Sequence, residues 1–335
     1  MSNKECDATA RALQKSVFAK LYPGRAVNSF RPAKASSRIT LPNGTEYVND
    51  ICYGTEYPNS YLDIWYSPLR EQHSCPTYVY LHGGGYLFGD KITGDPLATE
   101  AKSDNAYFKD LTARGFHVVS ANYCFAPRYR APAQFRQLDG MLAFLVEHAD
   151  ELGLDMHNVV IGGGSAGANF TAIYGLALCD AEYAKKIGVP VTIDRERIRA
   201  LVIDEAALDQ KENAKSEGLT IMGLAWLGEK DMAESRKAAL YDVGKHIKGD
   251  YLPAFVTASN VEAVFKATAD SIVCALQKAN VEYDYYYRPQ SESEPLNHGF
   301  MNQFMHNRFS KECYERMVSF ISRKTGLQTG GHHRV

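Results

Sequence analysis

Between Tyr61 and Lys324 the chain alternates short β-branched and aromatic segments with longer segments of helical period, and this alternation narrows the available folds more than any other feature. Strand character runs through 61–66, 77–81, 116–120, 159–161, 200–203, 254–257 and 283–287. Helical spacing runs through 97–114, 134–150, 166–178, 262–279 and 310–324, several of these ending near Gly or Asn. Strand followed by helix, repeated, predicts an α/β protein with a mostly parallel central sheet and helices on both faces.

Two regions depart from this rhythm. Residues 8–21 read as an amphipathic helix, followed by Tyr22-Pro23-Gly24 and a polar segment through Pro42-Asn43-Gly44, which together predict a helical arm and then loop over 1–60. Residues 210–250 form a charged, helix-prone insertion between two strand candidates, with Ile221, Met222, Leu224, Trp226 and Leu227 as its apolar cluster. An insertion there predicts a small helical cap over the C-terminal edge of the sheet in a main domain spanning 61–335. The terminal Gly330-Gly331-His332-His333 reads as a frayed tail rather than a metal site.

Charge and cysteine usage exclude several functions. The 37 Lys and Arg against 39 Asp and Glu leave a net charge of −2, which gives no electrostatic reason to expect nucleic acid. No apolar run approaches the roughly 18 to 20 residues of a membrane-spanning helix, and Met1 to Asp7 lacks the apolar core of a signal peptide, so a cytoplasmic location without membrane contact is expected. The 7 cysteines are widely spaced with no C-x-x-C pair, which argues for packed thiols over a disulfide framework or zinc site.

Three motifs carry chemistry. Gly163-Gly164-Ser165-Ala166-Gly167 lies directly between the strand 159–161 and a helical run, the context that a G-x-S-x-G nucleophile elbow requires. The serine must sit on a tight strand-to-helix turn, and the flanking glycines leave room for neighbouring backbone. Taken alone the pattern arises by chance in roughly one in ten chains of this length at ordinary glycine usage. His82-Gly83-Gly84-Gly85-Tyr86 follows another strand, and its glycines can turn backbone N–H groups towards an oxyanion. Asn297-His298-Gly299 stands on a late loop, where a general base comes over the serine in the required chain order.

With these motifs the sequence resembles the hormone-sensitive-lipase-like branch of the α/β-hydrolase superfamily, the branch of many carboxylesterases and acetyl esterases. Tyr61-Leu62-Asp63-Ile64-Trp65 is similar to the branch's "LDIY" strand, and Asn122 to Pro127 with Pro132-Ala133 and Asp139 is similar to its "Y-R-L-A-P … P-A … D" segment. The resemblance implies an α/β-hydrolase catalytic domain over 61–335, Ser165 as nucleophile, His298 as base, and Gly84, Gly85 and Ala166 as oxyanion-hole donors. It gives His82 and Asp139 structural roles. It also implies a serine hydrolase for small soluble esters that needs no cofactor or metal and leaves room for a homodimer.

One departure concerns the triad acid. Where the branch carries "G-x-D-P-L", this chain reads Ala258-Ser259-Asn260-Val261-Glu262, with Val261 in the acid's place. Glu262, one residue late and one methylene longer than Asp, is the first candidate. Asp204 at the end of the preceding strand and the absence of any functional acid are the alternatives, and Asp270 lies farther along its helix. The same machinery would serve an amidase, lactonase or formamidase, and a catalytically impaired ligand-binding homologue is the alternative from another class.

Overall fold

The computed structural model describes residues 3–98, 105–232 and 234–328. In chain order the elements are α1 (Asn3–Leu21), β1 (Arg38–Thr40), β2 (Glu46–Cys52), β3 (Tyr61–Tyr66), β4 (Pro76–Leu81), α2 (Ala106–Ala113), β5 (His117–Ala121), α3 (Ala133–Glu147), α4 (Ala149–Leu152), β6 (Asp155–Gly164), α5 (Ala166–Cys179) and α6 (Ala181–Ile187). There follow β7 (Ile198–Asp204), α7 (Gln210–Asn213), α8 (Glu217–Leu227), α9 (Arg236–Leu240), β8 (Ala254–Thr257), α10 (Ala263–Lys278), β9 (Tyr283–Tyr286) and α11 (Arg308–Thr325). The strands make one 9-stranded sheet in the order β1-β2-β3-β5-β4-β6-β7-β8-β9. The run from β5 to β9 is parallel, while β1, β2 and β3 pair antiparallel along one side.

Strand residues alternate between two cores. Val79, Leu81, Ile161, Leu201 and Ile203 join the larger core on one face, whereas Tyr78, Val118, Val160, Val202 and Phe255 join the other, packed with α2 and α11. This is the two-sided burial that near-continuous apolar strands imply. The strand candidates from Tyr61 onward all appear, most within one or two residues of the expected bounds; β6 departs most, running from Asp155 to Gly164. Of the helical run over 97–114, residues 99–104 lie outside the described residues and the helix itself is Ala106–Ala113. The tail at 330–333 also lies outside them.

Two strands, β1 and β2, stand where only loop was expected. Their residues are polar or half-exposed, and β1 is exposed throughout. Pairing of β2 to β3, and of β1 to β2, rather than an apolar pattern, makes them strands. The insertion folds as α7, α8 and α9, and Ile221 to Leu227 of α8 are buried. A helix this apolar on every side needs cover on every side, and α1 packs along it. The side chain of Gln14 on α1 donates to the carbonyls of Leu87 (2.8 Å) and Ala126 (2.6 Å), while Asp7 pairs with Arg130 at 2.5 Å. No described helix is long and apolar enough to cross a membrane.

The loop after β4 is tied down by buried charge. Lys91, whose side chain is 0% exposed, lies 2.6 Å from Asp63 and 2.9 Å from Asp50, and its backbone N–H donates to Asn122 at 2.7 Å. Removing one partner of such a cluster strands the others without a counter-ion. Lys91→Met is therefore expected to lower the unfolding free energy by about 3–5 kcal/mol. Urea denaturation checks this, and a loss below about 1 kcal/mol, the range of a solvated ion pair, would contradict it.

Candidate active site

Ser165 is the single residue between β6 and α5, with φ 55° and ψ −118°. A left-handed φ on a serine costs on the order of 1–3 kcal/mol and persists only where its surroundings enforce it. Here its N–H donates to the Asp204 carbonyl at 2.8 Å, and its carbonyl accepts the Asn169 N–H at 3.0 Å to start α5. The motif glycines are steric necessities. A Cβ on Gly167 would fall 1.9 Å from the Leu81 carbonyl oxygen, and one on Gly163 would fall 2.5 Å from the Gly167 carbonyl carbon.

Ser165 lies at the floor of a tight cleft of about 20 Å³, roofed by Leu219, Met222 and Trp226 of α8 together with Met232. Trp226 stacks on Tyr86 (centroids 4.1 Å apart), and Asn169 donates to the Tyr86 hydroxyl. A larger cleft of about 570 Å³ opens along α1 among Arg11, Lys15, Phe18, Arg25 and Arg128, and none of the motif residues lines it.

Beside the serine, Gly84 and Gly85 have φ 110° and 57°. A Cβ on Gly84 would fall 2.0 Å from the Phe88 carbonyl oxygen, and one on Gly85 would fall 2.0 Å from the Met222 sulfur. Among the described residues, the N–H groups of Gly84, Gly85 and Ala166 donate to no protein acceptor. The turn is braced from below by His82, whose Nδ1–H donates to the Gly83 carbonyl at 2.7 Å while its ring stacks on Tyr123. Burial pulls the His82 pKa down to about 4, so the ring is a neutral brace. Asp139 is likewise occupied away from the cleft, accepting from the Tyr174 hydroxyl (2.6 Å) and the Thr192 N–H (2.9 Å).

His298 stacks on Phe265 and stands between two carboxylates. Glu205 Oε2 is 3.0 Å from Nδ1, and Asp95 Oδ2 is 3.3 Å from Nε2. Burial opposes the charge on this ring, but the two carboxylates outweigh it and hold the imidazole pKa well above its ordinary value. Glu205 is itself fixed by accepting the Gly299 N–H at 2.6 Å. No hydrogen bond joins Ser165 to His298 among the described residues.

The carboxylates that touch His298 are thus none of the three sequence candidates. Glu262 is exposed at the start of α10 and accepts from the Ser259 hydroxyl at 2.7 Å. Its loop is pinned away from the cleft by Asn260, which donates to the Arg288 carbonyl (2.9 Å) and accepts the Leu296 N–H (2.8 Å). Asp204 accepts from Thr257 Oγ1 at 2.5 Å, and burial, with Glu205 adding to it, pushes its pKa up to about 7. Asp270 is on the surface with Lys266. Glu205 follows Asp204 at φ 58°, and this backbone reversal sends the two neighbouring carboxylates to different partners. The sequence signal was the acidic pair closing an apolar strand; the reversal was not visible in it. Among the described residues, no group of three or more His, Cys, Asp and Glu is arranged to hold a metal ion.

Comparison with known proteins bears on the family and the fold. The chain matches the family described as BD-FAE over residues 62–276. It is 33% identical to carboxylesterase NlhH of Mycobacterium tuberculosis over 125 residues, 37% of this chain and 34% of the relative. It is 30% identical to an acetyl esterase of Salmonella paratyphi B over 128 residues, 37% of this chain and 36% of the relative. The aligned segments span less than half the length of these curated relatives. Esterase B from Lactobacillus Rhamnosis superposes with TM-score 0.72 at 18% identity, covering 97% of this chain and 96% of that one.

The crowding at the elbow gives a direct test. Gly167→Ala is expected to lower stability by at least about 1–3 kcal/mol, the usual range for overpacking. Gly140→Ala, within α3 with nothing within 4 Å of its added Cβ, is expected to gain up to about 1 kcal/mol from helix propensity. Thermal unfolding of both variants checks the pair, and equal behaviour would contradict the close approach at Leu81.

Proposed function

The chain belongs to the BD-FAE family and has the α/β-hydrolase fold, and on that premise we propose that it is a serine hydrolase cleaving small soluble carboxylic esters through an acyl-enzyme on Ser165. The observation that carries this is the left-handed Ser165 turn, set at the floor of the cleft beside unpaired backbone N–H groups. Relatives named carboxylesterase and acetyl esterase support the same reaction class.

In this reading Nε2 of His298 takes the Ser165 hydroxyl proton as Oγ attacks the ester carbonyl carbon. The oxyanion accepts hydrogen bonds from the N–H groups of Gly84, Gly85 and Ala166, where no protein acceptor competes. The tetrahedral intermediate collapses, the alcohol leaves with the proton from Nε2–H, and water cleaves the acyl-enzyme by the same transfers. Glu205 at Nδ1 orients the ring and stabilises the imidazolium, the role that the resemblance gives to a residue after β8. The domain assignment follows: 61–335 carries the chemistry, and the insertion at about 210–250 roofs it together with α1.

The acyl group would lie in the cleft beneath Met222 and Met232, where the free volume is only about 20 Å³, so these flexible side chains must shift to admit even a short acyl chain. Short acyl chains are therefore expected. In a series of p-nitrophenyl esters, activity is expected to fall with length, and a steady rise beyond about ten carbons would contradict the enclosed cleft.

The central test is burst release of p-nitrophenol with covalent capture of Ser165 by a fluorophosphonate. Ser165→Ala should retain less than about a thousandth of the wild-type kcat. Absence of a burst, of labelling and of turnover together would favour the ligand-binding alternative. Glu205→Gln should lower kcat at least about a hundredfold with little change in KM, while Glu262→Gln stays near wild type. The reverse ranking would return the acid to the loop after β8.

A further inference from the structure

The Asp95 carboxylate occupies a position that the hydrolytic reading does not use. It sits on the loop after β4 and is 9% exposed. Its Oδ1 accepts the Leu97 N–H at 2.7 Å, and its Oδ2 lies 3.3 Å from Nε2 of His298. The same Oδ2 fills the space beside Gly83, where a Cβ would come within 2.1 Å of it. The loop that carries it is anchored upstream by Arg25 on Asp90 at 2.7 Å and by the buried Lys91 cluster. The carboxylate is therefore placed by the fold, between the glycine turn and the histidine.

Nε2 is also the only ring nitrogen left for Ser165, because Glu205 holds Nδ1. A hydroxyl and a carboxylate cannot both use it. We propose that Asp95 is a positioning residue acting through His298: its Oδ2 holds Nε2 in the resting enzyme, and the contact must be released before the imidazole can accept the Ser165 proton. This rests on the reading of Ser165 as nucleophile and His298 as base.

A pH dependence follows. The charged and titratable groups around the ring are Asp95 on the loop after β4 and Glu205 with Asp204 at the end of β7, while α10 contributes the uncharged face of Phe265. Burial would favour a neutral ring, and the carboxylates reverse this. Since the base must be neutral to act, the acid limb of kcat/KM should lie above the ordinary histidine value of about 6.5.

Asp95→Asn isolates the contact, because Oδ1 can still accept from Leu97 while an uncharged amide nitrogen stands where Oδ2 was. The acid limb is expected to move down by at least about one pH unit, so activity at its foot rises about tenfold. Asp95→Ser, which keeps an acceptor for Leu97 and also lacks the charge, should move it the same way. An unmoved limb would overturn the proposal, as would a uniform loss at every pH, which would make Asp95 mere packing for the Gly83 turn. A second readout needs no activity: the His298 titration followed by NMR in Ser165→Ala, with and without Asp95→Asn. A fall in the His298 pKa is expected with Asp95→Asn, and an unchanged titration would overturn the proposal. Failure of fluorophosphonate to label Ser165 would instead overturn the hydrolytic reading, and the titration would still decide the Asp95 contact.

Discussion

The site depends on the parallel register at the C-terminal edge of the sheet. Leu81 of β4 stands opposite Gly163 of β6, Gly164 opposite Asp204 of β7, and Asp204 opposite Thr257 of β8. Parallel strands end together and release their loops on the same side. The glycine turn, the elbow, the acidic pair and the histidine loop therefore converge from four distant stretches of sequence. The bond from the Ser165 N–H to the Asp204 carbonyl extends this register by one residue. It is also what ties the backbone of Ser165 to the strand that delivers Glu205. A slip of the β6·β7 pairing would disturb both at once.

Burial makes the electrostatics of this edge consequential. Asp204, Glu205 and His298 are all buried, and each carboxylate is assigned a separate partner. Asp204 has Thr257, and its raised pKa reflects burial first and the neighbouring Glu205 second. Glu205 has His298 and the Gly299 N–H. Two adjacent carboxylates in one enclosed site would repel strongly if both faced the same solvent-free space. The positive φ at Glu205 separates them, so backbone conformation here does electrostatic work. On the proposed role of Glu205, the same logic accounts for the missing branch-typical acid after β8. The histidine already has its Nδ1 partner, and Asn260 can close the β8 loop against 288–296 instead.

The fold was legible in the sequence wherever burial dictated residue type. Val159-Val160-Ile161 and Ala254-Phe255-Val256 are covered on both faces and show it as unbroken apolar runs. The β2 strand was not legible, because Glu46, Asn49 and Asp50 are polar and its strand conformation comes from pairing to β3. In the site, the elbow and glycine turn were readable because a glycine excluded by steric contact leaves a mark in the sequence. Glu205 was not, since a carboxylate beside a buried histidine and one on the surface are the same letter. Only the φ reversal after Asp204 distinguishes them. Asp95 was equally hidden, as one acid in a loop whose path is set by Lys91 and Arg25.

The roof over the cleft shows how the two least regular regions are coupled. α8 is too apolar to face water, and neither the sheet edge nor the short α7 and α9 can cover it. α1, which precedes the sheet by sequence, supplies the missing surface and is fixed by Gln14 to the carbonyls of Leu87 and Ala126. Leu87 lies two residues beyond the Gly85 turn. Any movement of α1 thus acts at both walls of the cleft, through α8 above and through the glycine turn beside Ser165. Met222 joins the two walls directly, with its sulfur in the space that a Cβ on Gly85 would take. An acyl group entering beneath Met222 must displace a flexible thioether that rests on the proposed oxyanion hole, so substrate size and oxyanion geometry are set by the same contact.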